Sequence, residues 1–429
     1  MMRTYIIGFM VLFGGVYAKH ELYDGHILYE ITVQHADQVQ FVSRLETLLH
    51  VDVFSYAVPG RPGHVLVSKD NRELFENELS AAGIEYKIVV ENIKDMLDLE
   101  DKLLQEAVSK SSNRTRNGGL SFDRIYTYAE IDAFLDDLPR LFPGLVTLVN
   151  AGNSVEGRPI KYIRISTTNF QDPIKPVIFI ESLLHAREWI TLPITLYAIH
   201  KLVIDVTEQD LLQDIDWVIL PIVNPDGYVF SHAESRFWRK NRAPGALCAG
   251  VDLNRNFDVN WGTASSSIAC METYHGPRPF SEPETSIIRD IMLEHRGRLQ
   301  LFLDIHSFGS LILYGYGNGV LPPNGLILHT VGVHMATAID AVKASWNPNY
   351  TVGNVALVLY EASGSAGDFG QAVGVPLSYT YELPGYRFGI GGLGFLVDPN
   401  FIEQAGMETW EGIKVGARYI RDNYRLLNV

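Results

Sequence analysis

Short apolar runs and helical patterns alternate over the N-terminal part of the chain. The runs His26–Val33 and His64–Val67 are β-like. Gln38–Leu49 and Arg72–Ala82 carry apolar residues at three- and four-residue spacing, as amphipathic helices do. Strands and helices mixed in this order predict a small α+β domain over residues 19–95.

A charged segment and a polar linker follow this domain. Residues 91–110 have a helical pattern whose apolar side carries Met96, Leu97, Leu99, Leu103 and Leu104. Residues 110–119 are polar, end in glycine and have no periodicity, which is typical of an exposed linker. Proteases cut such linkers, and Arg114 and Arg116 would suit a trypsin-like protease. An ordinary interdomain loop is the alternative interpretation.

Strands and helices alternate from residue 120 onward. Pro176–Glu181 is a buried-strand run, and Glu188–Asp205 has helical spacing. Asp216–Val223 is another strand, which ends in the turn Asn224–Gly227. Further strands are predicted at Leu299–Ile305, Leu311–Tyr314, Val355–Tyr360 and Leu377–Tyr381, and further helices at Glu282–His295 and Leu328–Ala344. The pattern predicts one α/β domain with a mixed, mostly parallel sheet flanked by helices.

The N-terminus has the pattern of a secretory signal peptide. Met1-Met2-Arg3 precedes the apolar run Tyr5–Tyr17, and Val16-Tyr17-Ala18 offers a small-residue cleavage site. The run is too short to span a bilayer, and no later segment has the roughly 18 uninterrupted apolar residues that a spanning helix needs. We therefore expect residues 1–18 to be removed and the protein to be secreted. A buried N-terminal strand or helix is the alternative.

Composition and cysteine content narrow the class of protein. A chain of 429 residues suggests two domains, and 47% hydrophobic with 20% charged residues is typical of a globular protein with a large core. The formal net charge of −15 disfavours nucleic acid and anionic membranes as partners. The two cysteines, Cys248 and Cys270, permit a disulfide worth roughly 3 kcal/mol in a secreted protein. Two free buried thiols are the alternative, and zinc ligation by both is less favoured because partners at zinc-finger spacing are missing.

Three residues suggest a metal site, and a fourth suggests a general base. His185-Ala-Arg-Glu188 follows a buried strand, and in a helix or tight turn its imidazole and carboxylate lie on the same side. His306 ends another strand, where ligands of open α/β sheets collect. Two histidines and a glutamate leave a fourth position for water, as in a catalytic zinc site. Glu382 ends a third strand and could take a proton from that water. A core histidine at His306 and an arginine-paired carboxylate at Glu382 are the alternatives.

Eight motifs appear along the chain in the order of a known family. They are His185-Ala-Arg-Glu-Trp-Ile190, Asn224-Pro-Asp-Gly-Tyr228, Trp238-Arg-Lys-Asn-Arg242, Val251-Asp-Leu-Asn-Arg-Asn256, Glu272-Thr-Tyr-His-Gly276, Ile305-His-Ser307, Tyr360-Glu-Ala-Ser-Gly364 and Tyr381-Glu-Leu383. The chain thus resembles the pancreatic-type (A/B) zinc metallocarboxypeptidases over essentially its whole length, with an arrangement most similar to insect digestive procarboxypeptidase A. The resemblance implies a signal peptide at 1–18, an activation propeptide at 19–116 and a catalytic domain at 117–429.

The resemblance implies the roles of the residues that perform the reaction. His185, Glu188 and His306 would bind one zinc ion per chain. Glu382 would be the general base and would pass the proton on to the leaving amine. Arg239 would stabilise the oxyanion, where loss of one donor typically costs about 3–4 kcal/mol.

The resemblance also implies how the substrate is held. Asn254 and Arg255 would grip the terminal carboxylate, which a planar guanidinium binds bidentately. Tyr360 would close over the bound end. Arg187 would contact the substrate upstream of the cut, and Arg236 would lie near the cleft.

The residue released depends, in the family, on the loop after the closing tyrosine. An aspartate there selects Lys or Arg, and the corresponding position here is Gly367. None of the other residues that align with the family's pocket positions is acidic: they are Leu313, Gly317, Val355, Leu359, Ala362 and Thr380. Since an unpaired lysine in an uncharged pocket would cost several kcal/mol, the resemblance implies release of aromatic or aliphatic residues (A-type). Asp368 decides nothing, because both subtypes have an acid there.

Two departures from the family border the cleft. Phe308 replaces a frequent tyrosine, and the loop Pro384–Leu396 is longer and glycine-rich, so preferences upstream of the terminal residue stay open. A B-type enzyme that releases Lys or Arg is the leading alternative, and an inactive binding protein on the same fold is another. The expected partners are peptide and protein C-termini, an activating trypsin-like protease and proteinaceous carboxypeptidase inhibitors. We expect a monomer in the extracellular space, for example the gut lumen.

Overall fold

The residues that the computed structural model describes are 19–111, 120–385, 387–388, 391–392 and 394–427. The predicted signal peptide and the linker residues Arg114 and Arg116 lie outside the described residues. Among the described residues, no helix is both long and apolar enough to cross a membrane.

An antiparallel sheet and two helices form the first domain. Its elements are β1 (Ile27–Thr32), α1 (Ala36–Leu49), β2 (Asp52–Ser55), β3 (Gly63–Val67), α2 (Arg72–Ala81) and β4 (Glu85–Val90). The strands lie in the order β2-β3-β1-β4, and all neighbours are antiparallel. Tyr29 and Ile31 on one face of β1 form a buried cluster with Val42 of α1 and Phe75 of α2. The predicted α+β domain is confirmed.

A long helix, α3 (Ile93–Ser111), leads from the first domain toward the linker. Its buried residue Leu97 belongs to an apolar cluster that contains Phe54 of the first domain. The same cluster contains Phe237 and Leu396, which belong to the second domain. The two domains therefore share a continuous apolar contact along this helix.

The second domain alternates strands and helices, as the sequence predicts. Its strands are β5 (Val146–Asn153), β6 (Pro159–Ile165), β7 (Val177–Ser182), β8 (Asp216–Leu220), β9 (Leu299–Ser307), β10 (Leu311–Tyr314), β11 (Thr351–Asn354), β12 (Leu377–Leu383), β13 (Arg387–Phe388) and β14 (Gly391–Gly392). Its α-helices are α4 (Tyr128–Leu141), α5 (Thr191–Ile199), α6 (Gln209–Gln213), α7 (Pro225–Ala233), α8 (Pro283–Glu294), α9 (Gly325–Asp340), α10 (Val355–Val358), α11 (Ala366–Ala372) and α12 (Ile402–Leu427).

An eight-stranded sheet with the order β11-β10-β12-β9-β7-β8-β6-β5 runs through this domain. The central strands β12, β9, β7 and β8 are parallel, and antiparallel pairs join β10, β6 and β5 to them. Every residue of β7, β8 and β9 is buried, because helices cover both faces. The predicted mixed, mostly parallel sheet is confirmed, and it brings the ends of β7, β9 and β12 together.

The predicted strand Val355–Tyr360 is wrong. The edge strand β11 ends at Asn354, whose side chain accepts hydrogen bonds from the backbone N–H groups of Ala356 at 3.0 Å and Leu357 at 3.4 Å. This cap starts the short helix α10. A short apolar run is compatible with either structure, and the capping residue decides between them.

Three smaller differences concern residues near the predicted site. The strands β9 and β12 extend through His306 and Glu382, which are register partners rather than residues beyond the strand ends. The helix expected from Glu188 begins only at Thr191, so that His185–Glu188 form a turn. The predicted turn at Asn224 is the capped start of α7, since the Asn224 side chain accepts a hydrogen bond from the Gly227 N–H at 2.9 Å.

A disulfide joins Cys248 and Cys270, whose Cα atoms are 5.0 Å apart. It closes a loop between α7 and α8 that passes along the cleft. The predicted bond is present, and the alternative of free thiols is excluded.

Candidate active site

A cluster of two histidines and one glutamate lies where two central strands of the sheet, β7 and β9, reach their C-terminal ends. His185 and Glu188 lie in the turn after β7, and His306 lies on the neighbouring strand β9. The Nδ1 atoms of His185 and His306 are 3.1 Å apart. They lie 2.8 Å and 3.0 Å, respectively, from the two carboxylate oxygens of Glu188. The sheet therefore brings the three predicted metal ligands together.

The size and chemistry of this cluster fit one zinc ion. All three side chains are buried, and one ligand atom from each lies within 4.8 Å of the others. Tetrahedral zinc ligands at about 2.0–2.1 Å from the metal are about 3.3 Å apart, close to the separations seen here. Two imidazole nitrogens that face each other beside a carboxylate form a donor set that zinc prefers.

Asp252 connects the cluster to the neighbouring arginine. Its Oδ1 lies 3.0 Å from the Nε2 of His185, and its Oδ2 accepts a hydrogen bond from the Nη2 of Arg239 at 3.0 Å. Burial alone would raise the pKa of Asp252, but the charges of Arg239, Arg255 and His185 hold this pKa well below its usual range. A proton on the Nε2 of His185 leaves its Nδ1 lone pair facing the cluster.

Glu382 and Arg239 flank the open side of the cluster. Both line the same cavity as His185 and Glu188. The Nη1 of Arg239 is 3.9 Å from the Oε1 of Glu188. Burial raises the pKa of Glu382 to about 8, against the lowering effect of His306. A carboxyl group and a guanidinium thus face the space in which a fourth ligand of the metal and a peptide carbonyl would lie.

Arg255 and Tyr360 form a pair at the other end of the cavity. The Nη2 of Arg255 donates to the hydroxyl of Tyr360 at 3.0 Å, and its Nη1 donates to the carbonyl of Asn254 at 2.7 Å. The side-chain Oδ1 of Asn254 accepts from the N–H of Ala366 at 2.8 Å, and its amide nitrogen lies 3.2 Å from the Nε2 of His306. Arg255 is almost completely buried, and it lines the cavity.

Part of the lining of this cavity is uncharged, and we call this part the pocket. Its wall consists of the side chains of Leu313, Val355, Leu359, Ala362 and Thr380. Gly367 lies against this wall, because a Cβ atom on it would be only 2.9 Å from the Oγ1 of Thr380.

The neighbouring carboxyl group of Asp368 is held by backbone. Its two oxygens accept hydrogen bonds from the N–H of Gly317 at 3.1 Å and 3.2 Å. Burial raises the pKa of Asp368 to about 6. The carboxyl group of Asp368 is therefore engaged by the backbone of Gly317.

Two arginines of the second domain are paired with acids that precede the linker. The Nη1 of Arg187 donates to both oxygens of Asp52, at 2.8 Å and 3.0 Å. Arg236 donates to both oxygens of Glu100, at 2.8 Å and 3.0 Å, and this pair is almost completely buried.

The first domain also lines the cavity. Residues 53–56 and Glu46 are part of its wall. The ring of Tyr56 packs on that of Tyr360, and the hydroxyl of Tyr56 donates to the Oε2 of Glu46 at 2.8 Å. The cavity above the metal cluster is thus shared by the two domains.

The structure places nearly all of the candidate residues from the sequence around one cavity. Those that line it are His185, Arg187, Glu188, Arg239, Asn254, Arg255, Tyr360 and Glu382. His306 completes the metal cluster, and Gly367 lies beside the pocket. Arg236 is buried in the contact between the two domains, where it pairs with Glu100.

Sequence reasoning missed two groups of residues at the site. Asp252 lies inside the motif Val251–Asn256, and Asp304 is two residues from His306 on a strand and so on the same face. These spacings could have identified both. The first-domain residues Asp52 and Tyr56 carry no such signal, because their position depends on how two domains pack.

Comparisons with known proteins agree with this architecture. Residues 131–412 match the zinc carboxypeptidase family, and residues 29–100 match the carboxypeptidase activation peptide. Carboxypeptidase B of Helicoverpa zea is 46% identical over 418 residues, which cover 96% of this chain and 97% of the relative. Carboxypeptidase A2 of Rattus norvegicus is 33% identical over 422 residues, with 96% and 97% covered. The crystal structure of carboxypeptidase A from Helicoverpa armigera has a TM-score of 0.92 at 61% identity and covers 94% of this chain and 99% of that one.

A largely parallel sheet with a His-Glu-His cluster at its edge, preceded by an activation peptide, defines a metallopeptidase zymogen. The chain belongs to the zinc carboxypeptidase family, as a carboxypeptidase that is made with its activation peptide. The predicted family and enzyme class are therefore confirmed. The family implies zinc, and the cluster of His185, Glu188 and His306 could hold it.

Proposed function

We propose that this carboxypeptidase has A-type specificity and releases an aromatic or aliphatic residue from the C-terminus of a peptide. The uncharged pocket beside Gly367 is the observation that supports this most strongly. A Lys or Arg side chain there would lose its hydration without gaining a counter-charge, at a cost of several kcal/mol. Both oxygens of the neighbouring Asp368 accept from the one N–H of Gly317, and burial raises the pKa of this carboxyl group to about 6, which disfavours its charged form.

The names of the relatives favour no single specificity. One relative is a carboxypeptidase B at 46% identity, and one solved structure is a carboxypeptidase A at 61% identity. The proposal of A-type specificity therefore rests on the pocket. Release of Lys or Arg is the alternative, and the name of the Helicoverpa zea relative supports it.

We assign recognition of the substrate end to Asn254, Arg255 and Tyr360. Arg255 directs a buried guanidinium into the cavity, and a guanidinium binds a carboxylate through two parallel hydrogen bonds. Asn254 lines the same cavity, and its amide has a second N–H, beside the one near His306, that can serve as a further donor. Arg255 already donates a hydrogen bond to the hydroxyl of Tyr360. A terminal carboxylate must therefore displace this hydroxyl to bind Arg255. Tyr360 could then close over the bound end.

We assign the chemical step to Glu382 and Arg239. Zinc bound by His185, Glu188 and His306 would polarise the scissile carbonyl and lower the pKa of the attacking water. Glu382 takes the proton of that water and delivers it to the leaving amine. Arg239, held in place by Asp252, faces the oxygen on which negative charge develops. Loss of such a donor typically costs about 3–4 kcal/mol of transition-state stabilisation.

We propose that the activation peptide inhibits the enzyme by filling this cleft. Asp52 neutralises Arg187, the arginine expected to contact the substrate upstream of the cut. Tyr56 packs on Tyr360 and keeps it on Arg255, where the terminal carboxylate would bind. The metal cluster is complete while the cleft is covered. Removal of the peptide is therefore sufficient for access, without a rearrangement of the catalytic residues.

Several wider features belong to the same proposal. The signal peptide at 1–18 and the disulfide Cys248–Cys270 support secretion into an oxidising compartment such as the gut lumen. We retain domain limits of 19–116 and 117–429, with a trypsin-like protease cutting after Arg114 or Arg116. Proteinaceous inhibitors that insert a C-terminus into the cleft are expected partners of the active monomer.

Hydrolysis of paired substrates tests this function. The purified zymogen is assayed before and after trypsin on two blocked dipeptides that differ only in a terminal Phe or Lys. We expect activity to appear with trypsin, to favour Phe, to disappear with a chelator and to return with zinc. Faster release of Lys would overturn the A-type proposal. Equal activity before and after trypsin would overturn inhibition by the activation peptide.

A further inference from the structure

We infer that Asn349 is an N-glycosylation site and that its glycan lies at the rim of the active-site cleft. Asn349-Tyr-Thr351 has the Asn-X-Thr pattern to which the secretory pathway attaches oligosaccharides. The inference rests on the proposed secretion, because a chain that never enters this pathway is not glycosylated. It concerns a part of the molecule that takes no part in the reaction.

The acceptor pattern is rare in this sequence. It occurs at two positions, Asn113 and Asn349, and the second is the only one in residues 117–429. Asn113 lies outside the described residues and precedes Arg114, so that cleavage of the linker leaves it with the activation peptide. An N-linked glycan on the catalytic domain can therefore be attached only to Asn349.

The structure leaves the side chain of Asn349 accessible. Asn349 and Thr351 are exposed, whereas Tyr350 between them belongs to the core. The backbone N–H of Tyr350 donates to the Oδ1 of Asp340 at 3.1 Å, and that of Thr351 donates to the carbonyl of Ser310 at 3.0 Å. The segment is thus fixed with Asn349 in solvent, where a glycan can be attached without disturbing the packing.

A second asparagine in the same segment differs from Asn349 in both respects. Asn347 is buried, and its amide donates to the Oε1 of Glu408 at 3.4 Å. It is followed by Pro348, and proline in this position excludes glycosylation. The exposed asparagine therefore has the acceptor pattern, and the buried one does not.

The register of the sheet places this segment beside the catalytic cleft. Thr351 pairs with Leu311 on β10, and Leu311 pairs with Glu382 on β12. Because neighbouring strands are about 4.8 Å apart, the backbone of Thr351 lies about 10 Å from that of the proposed general base. The strand β11 is the outermost of the sheet among the described residues, so a glycan attached just before it can extend into solvent.

The same segment borders the activation peptide. Pro348 lines a cavity between the two domains together with Ser55 and Arg61 of the activation peptide and Phe308 of the catalytic domain. Removal of the activation peptide opens this side of the cleft, and a glycan on the adjacent Asn349 then stands at its rim. Because an oligosaccharide is bulky, it should hinder large substrates that cover the rim and leave short peptides unaffected.

Peptide mapping of the secreted protein tests the modification. The zymogen is expressed with its own N-terminus in a eukaryotic cell line, recovered from the medium and cleaved at the linker with trypsin. We expect a glycan on Asn349, which peptide N-glycosidase removes while converting the asparagine to aspartate. Thr351→Ala should lose the glycan and Thr351→Ser should retain it. Both variants should fold, because Thr351 is exposed.

The mapping has three contrary outcomes. Unmodified Asn349 in the secreted wild type would overturn the inference, and this result does not depend on the folding of a variant. A catalytic fragment of Thr351→Ala that still carries an N-linked glycan would overturn it as well. Absence of the wild type from the medium would overturn the proposed secretion instead.

Substrate size tests the position of the glycan. The activated Thr351→Ala and Thr351→Ser enzymes are compared on one C-terminal sequence, carried by a short peptide and by a folded protein. We expect equal kcat/KM for the peptide and a higher kcat/KM of Thr351→Ala for the protein. Equal values for the protein would overturn the placement at the rim. Unequal values for the peptide would overturn it too, because they would show that the substitution alters the cleft itself.

Discussion

Tyr56 of the activation peptide packs against Tyr360 of the catalytic domain, with ring centroids 4.6 Å apart and ring planes at 51°. The hydroxyl of Tyr360 in turn accepts a hydrogen bond from Arg255. In the zymogen a tyrosine of the catalytic domain is thus hydrogen-bonded to the arginine that we propose binds the substrate carboxylate. This contact links the state of the cleft to the presence of the activation peptide.

Removing the Tyr56 ring should loosen this arrangement. Aromatic pairs contribute about 0.5–1.5 kcal/mol beyond area burial, so we expect Tyr56→Ala to raise the activity of the uncleaved zymogen on a small dipeptide by about 2- to 10-fold. Arg114→Gln and Arg116→Gln are included to prevent cleavage. Tyr56→Phe keeps the ring and should behave like wild type. Equal activities of all three proteins would show that the ring contact does not inhibit.

The ion pair between Glu100 and Arg236 should contribute more than any other charged pair of α3 to the stability of the contact between this helix and the second domain. Both side chains are buried, and replacing one partner leaves the other charge without compensation, at a cost of about 3–5 kcal/mol. We expect Glu100→Gln to lower the urea midpoint of the zymogen markedly. Asp98→Asn on the same helix breaks a half-exposed pair with Lys94 and should cost less than about 1 kcal/mol. Similar midpoints for the two variants would contradict this assignment.

The stability of the zymogen should fall as pH rises through the range in which Glu46 ionises. Burial raises the pKa of Glu46 to about 7 from 4.5, and the carboxylates of Asp52 and Glu272 also raise it, whereas the Tyr56 hydroxyl and Arg239 lower it. The folded state therefore holds a proton that the unfolded state has lost. The resulting loss of stability begins near pH 4.5 and is complete above about pH 7, with an upper limit on the order of 3 kcal/mol.

Glu46→Gln isolates this effect, because glutamine cannot ionise and can still accept from Tyr56. We expect the free energy of unfolding of the variant to fall less than that of wild type between pH 4.5 and pH 8. Parallel curves for the two proteins would show that Glu46 is ionised or exposed in the zymogen.

A single acid should reverse the specificity of the active enzyme. Gly367→Asp places a carboxylate on the pocket wall, where it can pair with the charge of a terminal Lys or Arg. Thr380→Ala is added because a Cβ at position 367 would lie 2.9 Å from the Thr380 hydroxyl. We expect the ratio of kcat/KM for terminal Lys over Phe to rise by about 100-fold or more, since pairing offsets several kcal/mol of desolvation. Gly367→Asn with Thr380→Ala is the uncharged control, and an equal change in it would exclude charge as the cause.

The sequence predicts which residues perform the chemistry better than it predicts how the fold brings these residues together. The spacing of His185 and Glu188 places them on one side of a turn. That His306 joins them depends on β7 and β9 being neighbours in the sheet, which the order of elements along the chain does not reveal. The strand predicted at Val355–Tyr360 is wrong because the capping side chain of Asn354 outweighs an ambiguous apolar run.

Contacts between domains could not be predicted from local patterns. Asp52 lies in a strand whose alternation fixes which residues face the first domain's core, but its partner Arg187 lies far along the chain. Glu100 is a charged position on an amphipathic helix and would be expected in solvent, yet it is buried because Arg236 and the backbone N–H of Val397 satisfy its oxygens. Only the packed structure shows these pairs.

One mass-spectrometric measurement tests the central claim most directly. The trypsin-activated enzyme is incubated with an equimolar mixture of peptides that differ only in a terminal Phe, Leu, Lys or Arg, each also present as its C-terminal amide. We predict the loss of a single residue from the free-acid Phe and Leu peptides, with the amides intact because Arg255 finds no carboxylate. Faster loss of Lys or Arg, or cleavage of the amides at a similar rate, would contradict an A-type carboxypeptidase that recognises the free terminal carboxylate.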